Sequence, residues 1–295
     1  MVSADYRVTQ ASMARKVTTN LQRSLQKLEQ LQDQISSNRQ IRRPSDSPVG
    51  TVAALQLRAD LGRNEQIARN LDDATAWLAS ADDALMSVVE QITRARDLTI
   101  QAQNGALGQP ERDAIATEID NIREGLIGLA NTRYLDRSIF AGTVDTAAYD
   151  TAGNYLGQSA AIERTIAPGV RVQINLNGDE LFGPAGGDLF TTLTDLANAI
   201  RTNPAAIDAE LLDLDAGTNV IQQRQAEVGA RLKRIFTMQD RNSAGAITLK
   251  QSLSQVEDVD LPQAIMEMRI RETAYNAALA TTAMVIQPSL VDFLR

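Results

Sequence analysis

The sequence predicts a mainly α protein: an elongated helical bundle with coiled-coil helices at its two ends and a small β-containing insert between them. Three observations predict it. Only 4% of the 295 residues are aromatic and there is a single Trp, Trp77, whereas compact globules draw heavily on large rings and long helices packing through narrow seams need fewer. Apolar residues recur at heptad spacing near both termini. One stretch, 144–187, changes character, with Gly, Asn and Thr rising and apolar residues alternating.

The elements follow in order. From Ala14 to Ile35, one heptad row holds Ala14, Leu21, Leu28 and Ile35; Val17 and Leu31 form its companion, Ser24 interrupts it, and Leu25 widens the stripe. Pro44 breaks the pattern. Ser47 then makes a good N-cap with Pro48 at the first helical position, where a missing N–H costs nothing. A very long helical pattern runs from Pro48 to about Gln103 through Val52, Leu55, Leu61, Ile67, Leu71, Leu78, Leu85, Val88, Ile92 and Ile100. At about 1.5 Å per residue it spans on the order of 80 Å, which implies an elongated body. After the turn NGALGQPE, Pro110 opens a helix carrying Ile115, Ile119, Ile122, Leu126 and Leu129. NTRYLDRSIFAGT, 131–143, is a short aromatic-bearing link.

In the insert, Ile162 and Ile166, then Val170, Val172, Ile174 and Leu176, read as strands closing on a turn at NGD. Helices resume at the N-cap Asp188 and at Asn203–Pro204. A second long pattern runs from Ala216 to Val256 through Val220, Ala226, Val228, Leu232, Ile235, Met238, Ile247, Leu249 and Leu253. Asp260 with Gln263 forms a capping box for the last helix. Its rows are Leu261, Met268, Tyr275 and Thr282, with Ile265, Glu272, Leu279, Ile286 and Phe293 as partners. Pro288 ends or kinks it near Gln287. The layout goes out and comes back: 1–43 with 257–295 as a terminal coiled-coil domain, 44–143 with 188–256 as a long-helix domain, and 144–187 as an outer insert.

Composition removes several function classes. A net charge of −8 argues against general nucleic-acid binding, although residues 1–43 carry a net +5; those charges are interspersed with Gln and Leu as on a solvated helix face. With no Cys and no His, disulfides, thiolate zinc sites and His-dependent triads are ruled out. The opening MVSADYRVTQASMARK lacks the apolar core of a cleavable secretory signal. From Thr273 to Val291 there is no charge, but Asn276, several Thr, Gln287, Pro288 and Ser289 make this window too polar for a membrane span. LLDLDAG (211–217) starts like a calcium loop but lacks its later oxygen ligands, and DVD (258–260) reads as a helix terminus. No phosphate-binding glycine motif occurs. Asp72–Asp73 and Asp82–Asp83 read as a solvated face. No catalytic, cofactor or metal constellation is expected.

The candidate functional residues are instead apolar. Paired end helices bury one seam and leave Leu25, Met266, Ile270 and Val285 on other faces, and exposed apolar patches mark partner surfaces. The candidate assembly interface comprises Val17, Leu21, Leu25, Leu28, Leu31, Ile35, Leu261, Ile265, Met268, Tyr275, Leu279, Ile286, Leu290 and Phe293.

Four stretches carry a resemblance: RPSDSPVG (43–50), QNGALGQPERDAIATEIDNIREGLIGLANTRYLDRSIFAGT (103–143), RQAEVGARLKRI (224–235) and TAYNAALATTAMVIQPSLVDFLR (273–295). Over essentially its whole length the chain resembles the hook-associated protein 3 family of hook–filament junction proteins, within the flagellin-like superfamily. SIFAGT, the strands of 162–182 and the QPSLVDFL ending favour that family over flagellin; the opening MVSADYRVTQ departs from the usual start. The resemblance implies a flagellin-like bundle and a structural subunit self-associating in a ring. It implies hook-associated protein 1, flagellin, an export chaperone and the export apparatus as partners. It also implies an extracellular flagellar location, reached without a cleaved signal. A flagellin filament subunit is the near alternative, and an intracellular coiled-coil adaptor the distant one.

Overall fold

In the computed structural model the backbone is described for residues 10–183 and 188–286, and side chains for 15–183 and 188–283. Seven α-helices and two small antiparallel sheets lie within these residues: α1 (Gln10–Ser37), α2 (Pro48–Ala102), α3 (Gln109–Ala130), β1 (Arg133–Tyr134), β2 (Arg137–Ser138), β3 (Glu163–Ala167), β4 (Val170–Gln173), α4 (Gly178–Phe182), α5 (Leu189–Thr202), α6 (Ile207–Glu257) and α7 (Leu261–Ile286). The fold is mainly α, as expected.

Local chemistry sets the helix ends. At the end of α1, Asn38 takes φ 54 and its N–H bonds to Ile35 O, while Arg39 N–H reaches back to Gln34 O; this is a Schellman stop with Asn in the left-handed position. Ser47 Oγ accepts from Gly50 N–H at 3.1 Å and caps α2, with Pro48 in its first turn. Asp188 accepts from Thr191 N–H at 2.7 Å and caps α5. Asp260 Oδ1 accepts from Gln263 N–H at 3.1 Å and caps α7. The second long helix begins at Ile207, ahead of the Ala216 expected from its apolar pattern, because a tight turn at Pro204–Ala206 leads directly into it.

The chain divides into two compact units, 1–62 with 247–295 and 63–246. The 63–246 unit holds a continuous core. On α2 the inward rows are Leu71, Leu78, Leu85, Ile92 and Thr99, with Ala74, Ala81, Val88, Ala95 and Ala102 as companions. Both repeat every seven residues, and alanine along one row permits close helix approach. α3 supplies Ile115, Ile119, Ile122 and Leu126 and packs against α5, which supplies Leu193, Leu196 and Ile200. α6 supplies Leu214, Ile221, Val228 and Ile235, again at strict heptad spacing. Ile100 and Val220, expected on the packed stripes, are exposed. At each place the buried row falls on the neighbouring residue, Thr99 or Ile221, and Thr99 meets burial by donating its hydroxyl to Ala95 O at 2.7 Å.

The irregular segment packs on these helices within the same unit. β1 and β2 form a hairpin whose turn residues, Leu135 and Asp136, have φ 48 and 61. Tyr134 lies edge-on to Trp77 at 5.8 Å, and the Arg137 guanidinium stands over the Trp77 ring. Gly142, at φ 69, lies so close to Gln158 O that a Cβ would collide with it. β3 and β4 pair around Pro168–Gly169. Buried Asn175 accepts from Ile162 N–H at 2.7 Å and donates to Ala160 O at 2.8 Å, tying β3's approach to β4's exit. The NGD expected to close a turn instead opens the short helix α4, with Asn177 at its cap position. Tyr149, Phe182 and Phe190 meet at 5.0–5.6 Å, so residues of the expected insert share a core with α5. Asp73, expected on a solvated face, pairs with Arg164 of β3 at 2.7 Å, and Arg231 of α6 donates to Gln173 O and Asn175 O.

Candidate assembly surface

The unit formed by 1–62 and 247–295 is built around the pairing of α1 with α7. Two connecting segments hold that pair in register. Gln40 N–H donates to Glu257 O at 2.7 Å and Val259 N–H to Asn38 O at 3.4 Å, flanking the Arg39–Asp258 bridge. Arg58 Nη2 reaches both carboxylate oxygens of Glu257 at 2.8 Å, and the Glu257 side chain is 8% exposed; a charge-assisted contact of this kind neutralises the buried carboxylate. Asp46 accepts from Arg43 N–H at 2.8 Å and Arg42 N–H at 3.0 Å. Those two backbone donors hold its carboxyl below the usual carboxylate range.

On α1 the residues withdrawn from solvent include Val17, Leu21, Ser24, Leu28, Leu31 and Ile35, a regular a/d pattern. On α7 they include Ala264, Met268, Arg271, Tyr275, Ala278 and Thr282, with the same spacing. The row Met268, Tyr275, Thr282 therefore faces inward as expected. Its expected companions do not: Ile265, Glu272 and Leu279 are exposed, and Ala264, Arg271 and Ala278 take their place. The reason is size. Small residues let two helices approach closely and the Arg271 stem covers apolar surface, so Ile265 and Leu279 are left outside the seam.

Of the fourteen candidate residues, Val17, Leu21, Leu28, Leu31, Ile35, Met268 and Tyr275 are engaged within the chain. Leu25, Leu261, Ile265 and Leu279 are exposed. The Ile286 side chain, Leu290 and Phe293 lie outside the described residues, as does Val285. Among the described large apolar residues of α7 the most exposed are Met266 at 60% and Ile270 at 62%, one turn apart. A further stripe lies beyond the candidate set: Val49, Val52 and Leu55, at i, i+3 and i+6 in the first turns of α2, are all exposed. Periodicity alone puts Val52 and Leu55 on the packed stripe of α2, because it marks an apolar face without saying what covers it. Among its described residues this unit buries only Leu31, Ala54 and Ala264 as apolar core, while ten large apolar side chains stand exposed. That ratio is inverted for an isolated domain, which makes these faces the candidate contact surface. No group of three or more potential metal ligands occurs among the described residues, and no described helix is long and apolar enough to cross a membrane.

Residues 8–145 match the family described as bacterial flagellin N-terminal helical region. The chain is 27% identical to flagellar hook-associated protein 3 of Salmonella typhimurium over 278 residues, covering 85% of this chain and 88% of that protein. The chain is a homologue of hook-associated protein 3. Its similarity to Bacillus subtilis flagellin is 25% over 86% of the chain. Among solved structures, Bacillus cereus FlgL superposes with a TM-score of 0.61 at 25% identity, covering 68% of this chain and 99% of that one. The flagellar junction protein FlgL of Legionella pneumophila has the same fold, with a TM-score of 0.60 at 15% identity over 70% of this chain.

Proposed function

We infer that the chain is a structural subunit of the bacterial flagellum at the junction between hook and filament. The carrying observation is the relationship to hook-associated protein 3 along 85% of this chain and 88% of that relative. The unit of 1–62 and 247–295 supports it, since Leu25, Ile265, Met266, Ile270, Leu279 and the Val49–Val52–Leu55 stripe offer apolar faces that neighbouring subunits can cover. Charge distribution supports it as well. That unit carries 13 Lys or Arg against 11 Asp or Glu, while 63–246 carries 16 against 26. The apolar faces thus sit on nearly neutral protein, where copies approach without strong repulsion.

In this reading subunits associate in a ring between hook-associated protein 1 and the first flagellin layer, after export aided by a flagellar chaperone. The protein works outside the cell, without catalysis or cofactor, as a mechanical adaptor. α1 and α7 draw much of their stability from the neighbours that cover them, so that burial couples their ordering to assembly. Electron microscopy of a strain lacking this gene tests the reading: hooks capped by hook-associated protein 1, without filaments and with flagellin shed to the medium, are expected. Normal filaments on such cells would overturn it. A flagellin filament subunit is the second reading, favoured by the B. subtilis similarity; abundance separates the two, because a filament subunit makes up the bulk of the filament mass.

A further inference from the structure

We propose that Asn104 is a site of spontaneous backbone modification, converting to aspartate and isoaspartate in the folded protein, whereas the chain's other Asn–Gly pair is protected by its fold. The sequence contains two such pairs, Asn104–Gly105 and Asn177–Gly178. Glycine has no Cβ to shield its nitrogen or restrict the backbone, so its amide nitrogen can reach the side-chain carbonyl carbon of a preceding Asn. The Gly105 N–H gives its proton to solvent base and the nitrogen bonds to Asn104 Cγ. The side-chain nitrogen takes up a proton and leaves as ammonia. Water then opens the resulting succinimide at either carbonyl, leaving one carboxylate where an amide stood.

The two pairs sit in opposite surroundings. Asn104 is exposed in the turn between α2 and α3, where Leu107 N–H donates to Asn104 O at 3.1 Å. Its Oδ1 accepts from Ala106 N–H at 3.2 Å, an Asx turn that folds the side-chain amide over the Gly105 nitrogen. Nothing lies within 4 Å of where a Gly105 Cβ would be, and Gly105 N–H makes no hydrogen bond among the described residues. At Asn177 every element of the reaction is blocked. Its side chain is buried, Nδ2 donates to Glu180, and Oδ1 accepts from Asn175 at 3.0 Å. The Gly178 nitrogen, the required nucleophile, already donates to Phe140 O at 2.9 Å. Conversion at 104 places a new negative charge just past the C-terminus of α2, where the helix dipole disfavours it. It falls beside Gln103, which donates to Asp208 at 2.6 Å, and an isoaspartate lengthens the backbone of the turn itself.

The test incubates the full-length chain at mildly alkaline pH, folded and in denaturant, until both sites have half converted in the denatured sample. Peptide mapping that separates Asn, Asp and isoAsp then reads each site. The folded protein should convert Asn104 within about threefold of the unfolded rate and Asn177 more than about tenfold more slowly, since Asn177 must await local opening. Asn104→Gln should lose the converted peptides while Asn177 behaves as before. Protection of Asn104 in the folded chain, or conversion of Asn177 at the rate of Asn104, would overturn the proposal.

Discussion

Replacing Ile270 by lysine separates an assembly face from a folding face. Ile270 is 62% exposed, and full burial of an isoleucine is worth about 1.5–3 kcal/mol, so its partial burial contributes about 1 kcal/mol at most to the isolated chain. The new ammonium lies three residues from Glu267, which already binds Arg271 at 2.8 Å. An i,i+3 pair returns about 0.2–0.5 kcal/mol. The urea transition of the purified Ile270→Lys chain should therefore shift by less than about 1 kcal/mol. As an internal comparison, Ile221→Ala removes a fully buried side chain from α6 and should cost about 2–5 kcal/mol. If neighbouring subunits cover α7, burying an unpaired ammonium there costs several kcal/mol, enough to reduce incorporation roughly a hundredfold or more. Complementation of a strain lacking the gene reads this directly, as spreading in soft agar and filaments retained on the cell. Wild-type spreading by Ile270→Lys would refute the assignment of this face to subunit contact. A drop in folding stability as large as that of Ile221→Ala would refute its exposure.

Three further outcomes are expected. Gly142→Ala forces a Cβ into the Gln158 carbonyl at φ 69 and should cost about 3 kcal/mol or more in the urea transition, where an ordinary surface Gly→Ala would be nearly neutral. Leu135→Asn should stabilise the chain by about 0.5–1 kcal/mol, because Leu135 holds φ 48 with its side chain in solvent and Asn tolerates that conformation; a decrease in stability would show that Leu135 is packed. Asp46 has a carboxyl depressed in the folded state, chiefly by Arg43 N–H and then Arg42 N–H. Its contribution is present above the unfolded pKa and lost as pH falls through the folded one. Asp46→Asn should flatten the fall of the urea midpoint between neutral pH and about pH 3, and an unchanged slope would show that the carboxylate contributes nothing.

Much of the architecture was legible because it rests on short-range chemistry. Ser47, Asp188 and Asp260 were readable as caps since each acts within its own first turn. The α1 seam was readable because Leu21, Leu28 and Ile35 are large and evenly spaced, and α1 offers few competitors. The insert was harder. Its alternation revealed strands, but the buried amide of Asn175 and the aromatic contacts to Phe190 join residues far apart in sequence. No local pattern announces such partners.

α7 shows where periodicity fails and what the failure means. It carries apolar residues on several faces, so any heptad phase can be supported from its sequence, and weighting by size selects Ile265 and Leu279. Burial selects Ala264 and Ala278 instead, since close approach of α1 rewards small side chains. Had α7 evolved to pack on α1 alone, its outer face would be free to become polar at no cost to folding. Yet that face keeps Ile265, Met266, Ile270 and Leu279, which each raise the risk of nonspecific association in the isolated chain. The first turns of α2 repeat the situation at Val49, Val52 and Leu55. Two helices in one small unit thus carry apolar faces that the unit itself does not use. On the function proposed above, neighbouring copies of the chain are the partner those faces require. The residues outside the seam, rather than those within it, are accordingly where substitutions should disturb assembly while sparing the fold.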